Sequence, residues 1–224
     1  MEPRAPSGRR PVSPEEQARR DALLSLAEAT RRLSDVVAKT AVGPSVLQAA
    51  EADVRRAVEA LDAAHSEERY SHLMDRIDYE HPSLTLPLSP IIGAYSPVRP
   101  EVELWMEEGR VGGRARLERK HTGPPESAHG GVVALIADQL MAIVPWTLSL
   151  PTTATKTLTV RYRRPVPLYV DLDLEASGEA IENGVMARGT MSAGGVLCVE
   201  VEAELVVVSW RSRDQPRSGR DVAG

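Results

Sequence analysis

The residue of this sequence best placed to do chemistry is Asp138, because no other ionisable side chain lies between Gly130 and Thr155. It stands in an apolar run that opens with His129-Gly130-Gly131, a helix start without side chains at two positions. A carboxylate in apolar surroundings is costly unless it is paired or its pKa rises. Such an acid behind a bare helix N-terminus suggests a catalytic carboxylate beside an oxyanion site. The alternative is that Asp138 faces solvent or caps a neighbouring backbone group.

Composition limits the classes of function that fit the chain. A formal net charge of −5 over 224 residues argues against a nucleic-acid surface, because such domains carry a basic face. The single cysteine, Cys198, excludes an intrachain disulfide and argues against a cysteine-based metal site. No apolar stretch has the length of a membrane span, and the N-terminus lacks the hydrophobic core of a signal peptide. We therefore expect a cytoplasmic protein with no metal, no nucleic-acid partner and no membrane partner.

Composition also divides the chain into five segments. Ser13-Pro14-Glu15-Glu16 has the residues of a helix start, and two runs with apolar residues at three- and four-residue spacing follow, separated by Gly43-Pro44. These runs predict a helical hairpin, or two arms that pair with another copy or with the domain. The five segments are a disordered tail at 1–12, the helices at 13–65, a Pro-rich connecting segment at 66–100, the main domain at 101–210 and a disordered tail at 211–224.

The main domain has strand patterns on both sides of one helix pattern. Two strand-like stretches precede the helix, which runs from Gly130 to about Leu148 and is apolar nearly all round, and four follow Pro151. Glu182-Asn183-Gly184 has the residues of a type I′ hairpin turn. A long antiparallel sheet buries such a helix by curling around it, so the pattern predicts an α+β architecture with a single central helix.

Five motifs follow one another at set distances in this domain. They are Gly123-Pro124-Pro125, His129-Gly130-Gly131, Asp138, Thr155 and Tyr162-Arg163-Arg164-Pro165-Val166-Pro167-Leu168. Together they resemble the PaaI-type hotdog-fold acyl-CoA thioesterases, in particular the thioesterase superfamily member branch, and the N-terminal helices lie outside the resemblance. The resemblance implies a hotdog fold, a homodimer or homotetramer, and hydrolysis of an acyl-CoA thioester to free acid and coenzyme A. It implies no cofactor, since coenzyme A is part of the substrate.

The resemblance also implies roles for single residues. Asp138 would be the nucleophile that attacks the thioester or the base that activates water, and Gly130 would donate its backbone N–H to the thioester oxygen. Thr155 would help to hold the water or the acid. Some family members use an Asn six residues before the motif's His, where this chain has Gly123. That departure leaves Asp138 and Thr155 as the working pair.

Helix geometry independently predicts that the site needs two copies of the chain. Gly130 and Asp138 lie about 12 Å apart along a helix axis at 1.5 Å per residue, so one thioester carbonyl cannot contact both in the same helix. Two antiparallel copies related by a two-fold axis would bring Asp138 of one subunit to Gly130 of the other. The helix N-terminus would then present positive dipole density to the developing oxyanion.

Five further assignments complete the predicted site. His129 is a catalytic candidate by position, although we favour a structural role in which its ring fixes the turn before the helix. Gly131 is a candidate for binding substrate. Lys156, Arg163 and Arg164 are candidates for the phosphates of coenzyme A, because a charge-dense strand end would suit them. The alternative for each of these three is an ordinary exposed strand charge.

Two other functions fit parts of the sequence. A non-catalytic acyl-CoA-binding regulator or scaffold would use the same fold, with the helical arms as the partner-binding device, but such a protein has no need to bury an acid. A hotdog dehydratase or hydratase would want an Asp-His pair on one substrate carbon, and the sequence places none. The leading prediction is an acyl-CoA thioesterase with an acyl tunnel, lined by Leu135, Met141, Ile143 and Trp146. Taken one by one, these four residues are better explained as ordinary core residues of the helix.

Overall fold

The computed structural model describes residues 13–64, 82–107, 109–123, 126–150 and 153–208. The two predicted disordered tails, at 1–12 and 211–224, lie outside these residues. So do residue 65 of the predicted helical segment and the first part of the predicted connecting segment, 66–81. The predictions for those stretches therefore stay predictions.

Six antiparallel strands form one sheet with the order β1-β2-β4-β5-β6-β3. β1 and β3 are therefore the two edges. The strands are β1 (Glu101–Glu107), β2 (Arg110–Arg116), β3 (Thr153–Tyr162), β4 (Asp171–Ile181), β5 (Gly184–Ala193) and β6 (Val196–Val207).

One long helix of the main domain, α4 (Gly130–Thr147), packs against the strands of this sheet. Its side chains Ile136, Leu140 and Met141 are almost fully buried against the inward residues of the strands. The helix approaches the sheet closely, since a Cβ at Gly189 would lie 2.5 Å from Met141 Cε. The predicted α+β architecture, an antiparallel sheet around one central helix, is confirmed.

The apolar length of α4 is enough for a membrane span by length and composition, contrary to the reading of the sequence. Burial in the core, and not a membrane, accounts for this apolar length. The helix contacts all six strands of the sheet, so its apolar residues are those of a core helix of a hotdog domain.

Two-residue loops join β4 to β5 and β5 to β6, but the turn type predicted at Glu182-Asn183 is wrong. A type I′ turn needs a positive φ at both central residues, and neither Glu182 nor Asn183 has one. The β5–β6 loop meets the requirement, with φ values of 56° at Gly194 and 77° at Gly195. The glycine pair, which adopts this conformation without a steric cost, therefore marks the type I′ geometry in this sheet.

The N-terminal extension consists of two long helices, α1 (Pro14–Lys39) and α2 (Pro44–Asp62). Ser13 caps α1, since its side chain accepts the Glu16 N–H at 3.1 Å, as the sequence predicts. Arg31, Asp35 and Lys39 share one face of α1 at four-residue spacing. This polar face holds the helix on the domain. Arg31 donates to the Ser96 carbonyl at 2.8 Å. Asp35 pairs with Lys120 at 2.9 Å, and Lys39 pairs with Glu118.

Several apolar residues of α1 and all residues of α2 are exposed, although Ala27 of α1 is buried. Leu33 and Val37 of α1 are 40% and 64% exposed, and no residue of α2 is buried. The two helices therefore do not bury a shared apolar core with each other, and both alternatives, a hairpin or two arms, stay predictions.

The described part of the connecting segment lies over the core. It begins with a single helical turn, α3 (Pro82–Thr85), and Ile91 and Ile92 are both 2% exposed. The Ser89 hydroxyl donates to Gln139 Oε1 at 2.6 Å, which fixes the segment on α4 beside Asp138. The segment thus closes one side of the core.

His121 ends a 3-10 turn (Arg119–His121) and is buried. Its Nδ1 accepts the Glu118 N–H at 2.9 Å. Burial and the neighbouring Lys120 charge lower the pKa of His121 from 6.5 to about 4, against an opposing effect of Asp35. The ring is therefore neutral at physiological pH.

This neutral ring predicts a pH dependence of stability. The folded pKa lies below the unfolded value of 6.5, so the stabilisation is complete above pH 6.5 and is lost as the pH falls toward about 4. We expect this loss to reach up to about 3 kcal/mol in the free energy of unfolding. The variant His121→Asn keeps an acceptor for Glu118 and cannot protonate, so urea unfolding at pH 7 and 4.5 should show a smaller loss. An equal loss in both proteins would contradict the assignment.

Candidate active site

The site begins at the N-terminus of α4, where His129 is the cap residue. Its backbone is extended, with φ −64° and ψ 130°, and its Nδ1 accepts the Gly131 N–H at 3.0 Å. The His129 N–H donates to the His121 carbonyl at 2.8 Å. The ring therefore fixes the turn before the helix. The same bond occupies the Gly131 N–H, which the sequence proposes as a contact to substrate.

The Gly130 N–H is the first amide of α4 and has no hydrogen-bond partner within the described ranges of the chain. The Gly130 carbonyl accepts the Tyr162 hydroxyl at 2.7 Å. The peptide that joins Gly130 to Gly131 is thus held at both ends, by Tyr162 on its oxygen and by His129 on its nitrogen. The free amide of Gly130 is consequently presented on a fixed backbone at the positive end of the helix dipole.

Asp138 lies on the half-buried face of α4 that turns toward β3. Its Oδ1 accepts the Thr155 hydroxyl at 2.9 Å. The alternative of a backbone cap does not describe this contact, because the donor is a side chain on the edge strand. One carboxylate oxygen is oriented by Thr155, and the other has no hydrogen-bond partner among the described residues.

Asp138 and the Gly130 amide do not converge within one chain. They lie on the same straight helix, about 12 Å apart along its axis. Leu135, one turn before Asp138, is 43% exposed although α4 is otherwise the core helix.

The predicted phosphate ligands have other partners. Lys156 pairs with Glu204 at 2.8 Å and Arg163 pairs with Glu200 at 2.6 Å, in both cases across the β3–β6 pair. Arg164 Nη1 donates to the Leu197 carbonyl at 2.9 Å. Two of the three charges are thus neutralised by neighbouring carboxylates, and Arg164 alone of the three is bound by a neutral group.

The predicted acyl tunnel is not assembled from the four residues proposed. Met141 and Ile143 are fully buried in the core and Trp146 packs against it, whereas Leu135 is exposed on the Asp138 side. A cleft of about 730 Å³ lies elsewhere, between α1 and the edge of the sheet, and charged side chains of both line it. Of the four tunnel residues, Leu135 is the one on the face that carries the acid.

Gly123 is constrained by its distance from His129. A Cβ at position 123 would lie 2.6 Å from the His129 Cα. The loop is closed here by the Gly123 N–H, which donates to the Ser127 carbonyl at 3.0 Å. An Asn at this position, which some members of the family carry, therefore does not fit this chain without movement of the loop.

Tyr162 is the site residue that was not predicted from the sequence, although it stands in a motif that carries the resemblance. Its bond to Gly130 depends on β3 crossing the start of α4, which no sequence spacing reveals. Among the described residues, no cluster of three His, Cys, Asp or Glu side chains could hold a metal ion.

Comparisons with known proteins identify the fold. No protein-family model and no curated protein matches the sequence. A solved thioesterase superfamily protein is 25% identical, with a TM-score of 0.71 over 83% of this chain and 90% of its own. A hypothetical thioesterase of Streptococcus pneumoniae with coenzyme A is 17% identical, with a TM-score of 0.46 over 50% of this chain and 92% of its own. The Escherichia coli PaaI protein is 14% identical, with a TM-score of 0.45 over 48% of this chain and 80% of its own.

The first of these similarities is the informative one. It covers more of the chain than the sheet and α4 occupy, so it extends beyond the domain that carries the motifs. Together with the single sheet around α4, it establishes the fold. The chain has the hotdog fold that its motifs predict, and over most of its length it is similar to a thioesterase superfamily protein.

Proposed function

We propose that this protein hydrolyses acyl-CoA thioesters to a free acid and coenzyme A. The observation that carries the proposal is the pairing of two groups on one helix. A free amide at Gly130 begins α4, and an acid at Asp138, held by Thr155, lies farther along the same helix. One group suits a developing oxyanion and the other suits attack on a carbonyl carbon or activation of water.

In the proposed reaction the thioester oxygen accepts the Gly130 N–H as the carbonyl becomes tetrahedral. Asp138 either attacks the carbonyl carbon or removes a proton from the attacking water. The C–S bond then breaks, coenzyme A leaves as the thiolate and takes up a proton, and the acyl group is released as the acid. If Asp138 attacks directly, water hydrolyses the mixed anhydride in a second step.

The proposed site is shared between two subunits. Since the two groups are about 12 Å apart on one helix, the productive pair is Asp138 of one subunit with Gly130 of the other. Two antiparallel α4 helices about a two-fold axis would supply two such sites and would cover Leu135. The homodimer is therefore the proposed catalytic unit, and a homotetramer would contain two of them.

The alternative is an acyl-CoA-binding regulator or scaffold without catalysis, and the exposed apolar residues of α1 and α2 are what favours it. Release of free thiol from a panel of short, medium, long and aromatic acyl-CoAs separates the two. Turnover of any class supports hydrolysis. Binding of the same esters, measured by calorimetry, without turnover would overturn the proposal and favour the regulator.

Removal of the Tyr162 hydroxyl is expected to lower kcat about three- to tenfold with KM little changed, since one hydrogen bond contributes about 1 kcal/mol. Tyr162 acts through the Gly130 peptide, so Tyr162→Phe should alter transition-state stabilisation more than substrate binding. Tyr169→Phe is the matched control, because Tyr169 lies under Lys39, away from α4. A rise in KM with kcat unchanged, or an equal effect in both variants, would contradict the positioning role.

Arg164 is the proposed ligand for a coenzyme A phosphate, since Lys156 and Arg163 already pair with carboxylates. We expect Arg164→Gln to raise KM for acyl-CoA about three- to tenfold and to leave KM for the matching pantetheine ester unchanged. Arg161→Gln is the control, because Arg161 faces Glu202 at 3.3 Å farther along β3. Equal effects on the two esters would rule out a phosphate contact.

A further inference from the structure

The helix α2 is long and regular, and none of the other described residues buries it. It spans 19 residues, and none of them is buried. In proteins most of the stability of a helix comes from packing its apolar face and not from intrinsic propensity. That face exists: Leu47, Val54, Val58 and Leu61 are 47%, 39%, 58% and 56% exposed. A partner that buried this face would therefore stabilise α2.

The apolar face of α2 is symmetric about Val54. Leu47 and Leu61 lie seven residues to either side, and Ala50 and Val58 lie four to either side. At 100° per residue all five fall within one narrow stripe of the helix. A stripe with apolar residues at matching positions in both chain directions fits a second copy of itself running the opposite way.

The charges beside this stripe have the same self-complementarity. Glu51 and Arg55 lie on one flank and pair with each other at 2.6 Å. In an antiparallel pair of identical helices the same flanks face each other. A two-fold axis through Val54 places Arg55 of the second copy about 3 Å along the axis from the level of Glu51. Glu51 of each copy thus lies near Arg55 of the other copy.

We propose that α2 pairs with α2 of a second copy of this chain, antiparallel, about a two-fold axis at Val54. A patch that contacts its own copy in this way is the isologous interface of a closed dimer. The contact is separate from the one proposed at α4, and the hydrolysis proposed above does not depend on it.

The apolar residues of α1 are the competing partner, and they fit less well. Reflection of the α1 stripe about its centre, Thr30, places Leu26 at Ser34, so α1 lacks the symmetry of α2. The polar face of α1 already binds the domain through Arg31, Asp35 and Lys39. Pairing of α2 with α1 remains the outcome that would replace the proposal.

Single cysteines in the full-length chain test both the pairing and its direction. A disulfide needs Cα atoms within about 7 Å of each other, and native Cys198 is buried, so the unmodified chain is a control. We expect Val54→Cys to form a covalent dimer on mild oxidation. Leu47→Cys alone should not, because the two Leu47 positions would be about 21 Å apart along the axis. Leu47→Cys with Leu61→Cys should form the dimer again.

Ala52→Cys, on the opposite face of α2, controls for random collision and should stay monomeric on a non-reducing gel. Dimers from Val54→Cys and from the double variant alone support the proposal. Dimers from Leu47→Cys alone would indicate parallel pairing, and no dimer from Val54→Cys would indicate another partner; either result overturns it. Thiol release from acyl-CoA, assayed in the same variants, reports separately on the proposed hydrolysis.

Discussion

Replacing Asp138 by Asn is expected to lower kcat on the preferred acyl-CoA by about 10²-fold or more, the size of effect that general base catalysis supplies. The amide can neither attack the thioester nor remove a proton from water. It keeps the shape of the side chain and an oxygen that can accept the Thr155 hydroxyl. In the parent protein this hydroxyl lies 2.9 Å from Asp138 Oδ1. The fold and the affinity for substrate should therefore survive, and the loss should fall on the chemical step.

Variants at Thr155 are the matched controls for this result. Thr155→Ser keeps the hydroxyl and should remain close to the parent in kcat, whereas Thr155→Val keeps the shape, loses the donor and should fall. Single-turnover thiol release, together with calorimetric binding of the ester, separates the chemical step from binding. If Asp138→Asn turned over at the parent rate, the carboxylate would have no part in the reaction and the proposed mechanism would be wrong.

The central helix and its sheet were predictable because their signals are local. The helix α4 begins at Gly130, directly after His129, as the motif predicts, and it ends at Thr147, one residue short of the expected end. The apolar run predicts that this helix is buried. Alternation along β4 predicts which face of that strand points into the core, and Leu172 and Leu174 on this face are buried. Where the spacing of apolar residues and the composition of a segment indicate the same element over many residues, the tertiary structure contains that element.

What the sequence could not predict depends on contacts between distant residues. Lys156 and Arg163 read as free cations in the sequence, yet their carboxylate partners stand 48 and 37 residues away on β6. Asn183 suggested a type I′ turn that the paired glycines Gly194 and Gly195 adopt instead. The apolar runs of α1 and α2 predict helices correctly but cannot say what covers them. Strand register and docking, which set all these partners, are not encoded in local spacing.

Replacing Gly130 by Pro is expected to lower kcat about 10²- to 10³-fold, the cost of losing one oxyanion donor. Proline removes the N–H of the first helical residue, a position where it is tolerated because that amide has no partner in the helix. The preceding residue must be extended, and His129 already is, with ψ 130°. The variant therefore deletes one hydrogen-bond donor with little change to the fold.

Gly130→Ala is the control for added bulk at this position. Its Cβ would lie 3.4 Å from the Tyr162 hydroxyl, an ordinary contact, and its N–H is retained. We expect kcat of Gly130→Ala to stay within about tenfold of the parent, the effect of losing no more than one neutral hydrogen bond. An equal loss of kcat in Gly130→Pro and Gly130→Ala would show that added bulk at this position, and not removal of the N–H, slows the reaction.

Mixing the two inactive variants tests whether the site is shared. If Asp138 of one subunit works with Gly130 of the other, a heterodimer of Asp138→Asn with Gly130→Pro contains one site with both groups intact and one site with neither. Refolding the variants together should then restore thiol release to a substantial fraction of the parent rate, and each variant refolded alone should stay inactive. If both groups acted within one chain, every site in the mixture would lack one of them and no activity would return. Recovery would therefore require the antiparallel pairing of α4 helices that the separation of about 12 Å along each helix demands.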